Sequence, residues 1–168
     1  LDDRFCLNVL SVFDEDNWTQ PTDKDKINIA LYHGSISGVK TDIGWTMENG
    51  EHDVSIFNNF DFAFLGDIHK TNQALDLKGR IRYCGSTIQQ NHGETNDKGM
   101  LLWNIRDRWD WDCEHIAFKN PKPFHTIVLT PTGKMPRGIT VPKNARLRLV
   151  SENNLPLDAM RRALDIAK

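Results

Sequence analysis

The sequence predicts a strand-rich α+β protein, and three observations carry this prediction. Eight short apolar runs, rich in β-branched and aromatic residues, are separated by polar turns, a pattern typical of strands. The stretch 156–168 has helical spacing, with four apolar residues on one face: Leu157, Met160, Leu164 and Ala167. Pro121 and Pro123 mark a connection between two parts of the chain, which we predict to be residues 1–118 and 119–168.

The predicted strands follow one another along nearly the whole chain. The first is LNVLSVF, and the complete set covers residues 7–13, 27–32, 60–65, 81–84, 100–105, 113–118, 124–130 and 145–150. The polar stretch 14–26 and the Gly-, Ser- and acid-rich stretch 35–53 are predicted loops, and 54–57 is predicted as a single helical turn. The tryptophan-rich stretch 103–111 fits a two-stranded hairpin with aromatic cross-strand pairs.

The composition narrows the class of protein. With 168 residues, of which 39% are hydrophobic and 26% charged, the chain has the size of one domain with a small addition, and it is neither disordered nor collagenous. No apolar run approaches the ~20 residues that a membrane helix needs, and the first residues, LDDR, do not resemble a signal peptide. Three cysteines without C-x-x-C spacing indicate reduced thiols. We therefore expect a cytoplasmic protein without a membrane segment.

The charge of the whole chain gives no sign of a dedicated nucleic-acid-binding domain. The formal net charge is −2 and the isoelectric point is near 6.3, whereas such domains usually have values above about 9. DNA nevertheless stays open as a substrate, because an active site can hold phosphate through metal ions instead of lysines.

Candidate metal ligands follow two of the predicted strands. His33 comes directly after the strand 27–32, and Asp67 and His69 follow the strand 60–65. Functional side chains collect at the carboxyl ends of strands, and residues i and i+2 of an extended chain point to the same side. A carboxylate beside a neutral imidazole suits Mn²⁺, Fe²⁺ or Zn²⁺. The alternative is structural: His33 caps a backbone carbonyl, and Asp67 pairs with Lys70 or caps a backbone amide.

Several further motifs together resemble a known family. They are Tyr32-His33-Gly34, LGDIHK at 65–70, Tyr83-Cys84-Gly85-Ser86, the run QQNHGE at 89–94 and the run KGMLLW at 98–103. These segments resemble the C-terminal half of a calcineurin-like metallophosphoesterase, above all the SbcD-type DNA-repair exonuclease subunit that partners an SMC-like ATPase. The other histidines, His52, His92, His115 and His125, are interpreted as solvated or packing residues.

The resemblance implies a fold and a function. Residues 1–118 would form part of a metallophosphoesterase β-sandwich flanked by helices, and residues 119–168 the beginning of a small α/β capping domain. His33 and Asp67 would bind the second of two divalent metal ions, which we expect to be Mn²⁺, and His69 the first. Asp67 stands where many members have histidine. The implied partners are DNA and an SMC-like ATPase subunit, and a homodimer is compatible with the resemblance.

The chain departs from this family in one important respect. The blocks D-x-H, G-D-x-x-D and G-N-H-[DE], which supply the remaining ligands and the catalytic histidine, are absent upstream of His33. Asp67-Ile68-His69 is not the first of these blocks, because no G-D-x-x-D follows it. We therefore expect the rear portion of a DNA nuclease, inactive alone. Two alternatives stay open: a phosphatase or nucleotide phosphodiesterase of the same superfamily, and a non-catalytic interaction module.

Overall fold

The computed structural model describes residues 2–167, which divide into two compact units. The first unit contains residues 2–88 and 97–118, and the second contains residues 89–96 and 119–167. One boundary therefore lies between Phe118 and Lys119, just before the two prolines. Residues 89–96 also belong to the second unit, which the sequence did not predict. Whether the units are a catalytic and a capping domain stays a prediction.

The first unit is built on a five-stranded sheet with the order β1-β2-β3-β5-β4. Its strands are β1 (Phe5–Leu10), β2 (Ile27–His33), β3 (Phe62–Gly66), β4 (Gln73–Ala74) and β5 (Ile81–Tyr83). All neighbours pair in parallel except β4, which runs antiparallel to β5. The strands β6 (Gly99–Ile105) and β7 (Trp111–Ala117) form the antiparallel hairpin expected from the tryptophan-rich stretch.

Different elements cover the two faces of this sheet. On one face, Tyr32, Leu65 and Tyr83 pack with apolar residues of the segment 35–60, including the fully buried Phe57. This segment contains a 3₁₀ turn at Val54–Phe57, where the helical turn was predicted. On the other face, Phe62 packs edge-on against two tryptophans of the hairpin, with ring centroids 5.9 Å from Trp103 and 5.5 Å from Trp111.

The predicted fold class, an α+β sandwich flanked by helices, is wrong. Residues 2–167 are mostly strands and connections, with a single α-helix at the C-terminal end and two short 3₁₀ turns. The sheet of the first unit buries its apolar faces against the β6–β7 hairpin and an irregular loop segment instead of helices. Large aromatic side chains contribute to this arrangement, because each of them buries about 150–250 Å².

The second unit is a small parallel ladder with one helix. The strands β8 (Phe124–Val128) and β9 (Arg146–Val150) pair with each other, and α1 (Leu157–Ala167) supplies Ala163 to a core around Ile127 and Leu129. Pro156 directly precedes the helix, at a position where its missing N–H costs nothing. Within the described residues, no helix is long and apolar enough to cross a membrane.

One predicted strand differs in its position. The first strand was expected at 7–13, whereas β1 occupies Phe5–Leu10. The chain turns at Ser11, whose carbonyl accepts a hydrogen bond from the backbone N–H of Asp14 at 3.0 Å. The apolar residue Phe13 therefore lies outside the strand and is 97% exposed.

Candidate active site at the ends of β2 and β3

The structure brings two of the three predicted site residues to one place. His33 ends β2 and lies opposite Gly66, which ends the neighbouring parallel strand β3 and directly precedes Asp67. Both His33 and Asp67 are exposed, and both line a cavity of about 550 Å³ at the carboxyl ends of the strands. Glu51 lines the same cavity. An imidazole and two carboxylates therefore face one solvent-accessible space.

The imidazole of His33 lies directly over the backbone of Gly66. A Cβ atom built on Gly66 would lie only 2.6 Å from Nδ1 of His33, which is closer than such atoms approach in proteins. Any larger residue at position 66 would therefore displace the His33 ring from its observed position. This close approach explains the glycine between Leu65 and Asp67 at the strand end.

Asp67 has a backbone conformation that L-residues rarely adopt. Its φ is 94°, and the strand β3 ends one residue before it. Such conformations cost about 1–3 kcal/mol and cluster at functional sites. We expected Asp67 and His69 to point to the same side because they are residues i and i+2 of an extended chain. The positive φ of Asp67 ends the extended geometry at that point, so this expectation no longer holds. The intervening Ile68 is buried, and His69 is not among the residues that line the cavity.

The donor set at the cavity is too small for the two-metal centre that the resemblance implies. Among residues 2–167, no three His, Cys, Asp or Glu side chains are arranged to hold one metal ion. His33 and Asp67 are chemically suited to Mn²⁺, since they offer an imidazole nitrogen and a carboxylate oxygen at one edge of the sheet. The described residues thus bring together two side chains of suitable chemistry and no complete set of metal ligands.

Glu51 is a site residue that the sequence analysis missed. One carboxylate oxygen, Oε2, accepts a hydrogen bond from the backbone N–H of Ser35 at 2.9 Å and lies 3.4 Å from the Tyr32 hydroxyl. Burial of the Tyr32 phenol, together with the charge of Glu51, raises the pKa of Tyr32 far above its usual value. No sequence signal could have identified Glu51, because it belongs to a long irregular segment 16 residues away from Ser35.

The Y-x-G-S turn and the following lysine hold the two loops that carry the predicted ligands. The buried hydroxyl of Tyr83 donates a hydrogen bond to the carbonyl of Gly34, beside His33, at 2.6 Å. Gly85 has a φ of 83°, and a Cβ there would lie 3.0 Å from the carbonyl oxygen of His69. Lys98, which is 1% exposed, donates to the same carbonyl oxygen at 2.7 Å.

Lys98 also forms a buried ion pair. Its Nζ lies 2.6 Å from Oδ2 of Asp42, and the two side chains are 2% and 6% exposed. A buried charge is tolerated only when it is paired and hydrogen-bonded, and Lys98 has both kinds of partner. This pair links the segment 35–53 to the backbone of His69.

The remaining histidines have varied surroundings. Nε2 of His52 lies 3.2 Å from Glu15, and its ring packs against Trp18. His92 contacts the edge of Phe124 in the second unit. Nε2 of His115 and of His125 is buried without a hydrogen-bond partner among the described residues. None of these four lines the cavity at His33.

Comparison with known proteins finds a similar protein whose name states no activity. No family model matches the chain. An uncharacterized protein, R555 of Acanthamoeba polyphaga mimivirus, is 32% identical over 158 residues, which is 88% of this chain. The matched region is only 11% of the length of that protein. The described chain is therefore similar to one segment of a much longer viral protein.

Proposed function

We propose that the chain contributes part of the active site of a metal-dependent phosphodiesterase that acts on DNA. The observation that carries this proposal is the placement of His33 and Asp67 at the ends of two neighbouring parallel strands, over one open cavity. Strand ends of this kind are where rigid sheets present functional side chains. The motifs that resemble an SbcD-type exonuclease subunit support the choice of reaction.

The proposal assigns limited roles to the residues of this chain. His33 and Asp67 would each give one ligand to a divalent ion, with Mn²⁺ as the proposed metal. His69 would take part only if its loop rearranges when metal binds, because it does not line the cavity. Further ligands would have to come from residues outside this chain. The proposal includes a cytoplasmic location and action together with an SMC-like ATPase.

Mn²⁺ binding to the 168-residue chain tests the proposed ligands directly. We expect weak binding of one Mn²⁺ ion by electron paramagnetic resonance titration, because two protein ligands hold an ion far less firmly than a complete site. Asp67→Gly should weaken this binding at least about tenfold while stabilising the fold by about 1 kcal/mol, because glycine adopts positive φ without strain. Asp67→His should retain part of the binding.

Asn72→Gly is the matched control for this experiment. Asn72 also has a positive φ, 55°, and does not line the cavity, so its replacement should leave Mn²⁺ affinity unchanged. His33→Ala should weaken binding as Asp67→Gly does. If the chain binds no Mn²⁺, or if the two site variants bind it as well as the wild type, the metal site is disproved. The non-catalytic interaction module would then be the better interpretation.

A further inference from the structure

The two-stranded sheet of the second unit has one covered and one open face. Ile127, Leu147 and Leu149 point toward the core that includes Ala163 of α1. Because side chains alternate along a strand, the residues between them share the opposite face. In register, Phe124 lies opposite Arg146, and Thr126 opposite Arg148. Both arginines and Val128 are exposed, whereas Phe124 and Thr126 are partly buried. We call the surface formed by these five residues the arginine face.

Both guanidinium groups on the arginine face are held by their neighbours across the ladder. The guanidinium of Arg146 lies over the ring of Phe124, 4.7 Å from its centroid. Nε of Arg148 donates a hydrogen bond to the hydroxyl of Thr126 at 3.1 Å. Neither arginine forms an ion pair with an Asp or Glu of the described chain. A guanidinium stacked on a ring keeps its N–H edge available for an anion.

The segment 89–96 adds a histidine to the same face. The side chain of Gln89, only 5% exposed, accepts a hydrogen bond from the backbone N–H of Phe124 at 2.8 Å and donates to the carbonyl of Glu94 at 2.8 Å. Glu94 in turn accepts from the backbone N–H of Gln90 at 2.9 Å. This folded turn places the His92 ring 4.8 Å from Phe124, with Nδ1 3.5 Å from the hydroxyl of Thr126.

The second unit as a whole is positively charged, like its arginine face. Residues 89–96 and 119–168 contain ten Lys and Arg against four Asp and Glu, a formal net charge of +6. The rest of the chain contains eleven basic and nineteen acidic residues, a net charge of −8. A strongly basic unit that presents preorganised arginines on an open sheet is complementary to a polyanion.

We propose that the arginine face binds a single nucleic-acid strand through its phosphates. Arg146 and Arg148 are two residues apart on β9, so their Cα atoms are about 6.5–7 Å apart, and the two groups can contact different phosphates of one strand. The outer plane of the stacked Arg146 guanidinium and the half-exposed Val128 offer sequence-tolerant contacts to bases and sugars. This binding requires no metal and is independent of the site at His33.

The test measures binding of a labelled single-stranded DNA oligonucleotide to the 168-residue chain by fluorescence anisotropy in EDTA at several salt concentrations. The double variant Arg146→Gln/Arg148→Gln should weaken binding at least about tenfold. Because each phosphate contact contributes about 0.7 to the slope of log K against log salt for single strands, the slope should fall by about 1.4. Helical circular dichroism at 222 nm verifies that the variants are folded.

Arg161→Gln/Arg162→Gln is the matched control. Both residues are exposed on α1, and the pair removes the same two charges without touching the arginine face. We expect this control to weaken binding by less than about twofold. Equal losses in the two double variants would mean that the chain binds DNA through its net charge. No loss in either variant would mean that DNA binds elsewhere, and both results would overturn the proposal.

Equally tight binding of a heparin fragment would overturn the choice of a nucleic acid. Retained DNA binding without any Mn²⁺ binding would contradict only the function proposed above.

Discussion

The two units of this chain differ in charge as well as in architecture. The first is a mixed sheet with a net charge of −8, whose interior depends on aromatic side chains and one buried ion pair. The second has a net charge of +6 and a small core between two parallel strands and one helix. A whole-chain charge of −2 conceals this contrast, so a conclusion about partners drawn from the total charge is misleading.

The chain itself provides separate probes for the two units. All five tryptophans, Trp18, Trp45, Trp103, Trp109 and Trp111, belong to the first unit. The α-helix that the structure contains within residues 2–167 belongs to the second. Tryptophan fluorescence therefore follows unfolding of the first unit, and circular dichroism at 222 nm is weighted toward the second. Substitutions in each core can show whether the units unfold separately.

The largest effect is expected from Lys98→Met. This substitution removes the ammonium that lies 2.6 Å from the buried Asp42 carboxylate, and removal of one member of a buried pair costs about 3–5 kcal/mol. The free energy of unfolding measured by tryptophan fluorescence in urea should fall by that amount, with no change in the transition at 222 nm.

Two further variants make the Lys98 experiment specific. Lys98→Met/Asp42→Asn should recover part of the lost stability, because the negative charge that Lys98 balanced is then also absent. Arg106→Gln, which breaks exposed ion pairs with Asp110 and Asp112 in the same unit, should cost no more than about 1 kcal/mol. If Lys98→Met is no more destabilising than Arg106→Gln, the buried pair does not stabilise the first unit.

Ile127→Ala is the corresponding experiment in the second unit. Ile127 is fully buried, and truncation of such a residue costs about 2–5 kcal/mol because of lost burial and the cavity that remains. The transition at 222 nm should shift to lower urea concentration while the tryptophan transition stays in place. Val128→Ala, at the neighbouring and 49% exposed position, should shift neither. A shift of both transitions in Ile127→Ala would show that the units unfold as one.

The sequence was informative wherever local patterns decide the structure. The strands β2, β3 and β5 to β9 and the helix α1 were predicted within a few residues, because alternation and helical spacing are local properties. The absence of flanking helices could not be predicted, since the sheet is covered through contacts between distant segments, such as Phe62 with Trp103 and Trp111. The short strand β4 was also missed, because two residues carry no pattern.

In the candidate site, too, the features set by local sequence patterns could be predicted, and the others could not. The strand-end positions of His33 and Asp67 follow from the strand pattern, and the structure places both at one cavity. The position of His69 depends on the φ of Asp67, which the i, i+2 argument could not include. The charge contrast was available from the sequence, since most of it appears as soon as residues are counted on either side of the boundary at 118.

The smallest predicted effect concerns the pH dependence of the second unit. Partial burial of the His92 ring, and then the positive charge of Arg148, lower the pKa of His92 below its ordinary value of 6.5. The folded unit therefore binds fewer protons than the unfolded chain when the pH falls below about 6.5, so its stability decreases there. His92→Gln should remove this component of the decrease, measured as the urea midpoint at 222 nm against pH, while His33→Gln in the first unit should not.

The same histidine connects stability to the proposed ligand. A bound phosphate chain would neutralise Arg148 and favour the imidazolium, so the pKa of His92 should rise when single-stranded DNA is added. Arg148→Gln should raise it without DNA, because the repelling charge is gone. Nuclear magnetic resonance of the His92 ring measures both shifts. If DNA leaves the pKa of His92 unchanged, the strand does not bind beside His92. The two units would then differ in net charge without a nucleic-acid site beside His92 in the second unit.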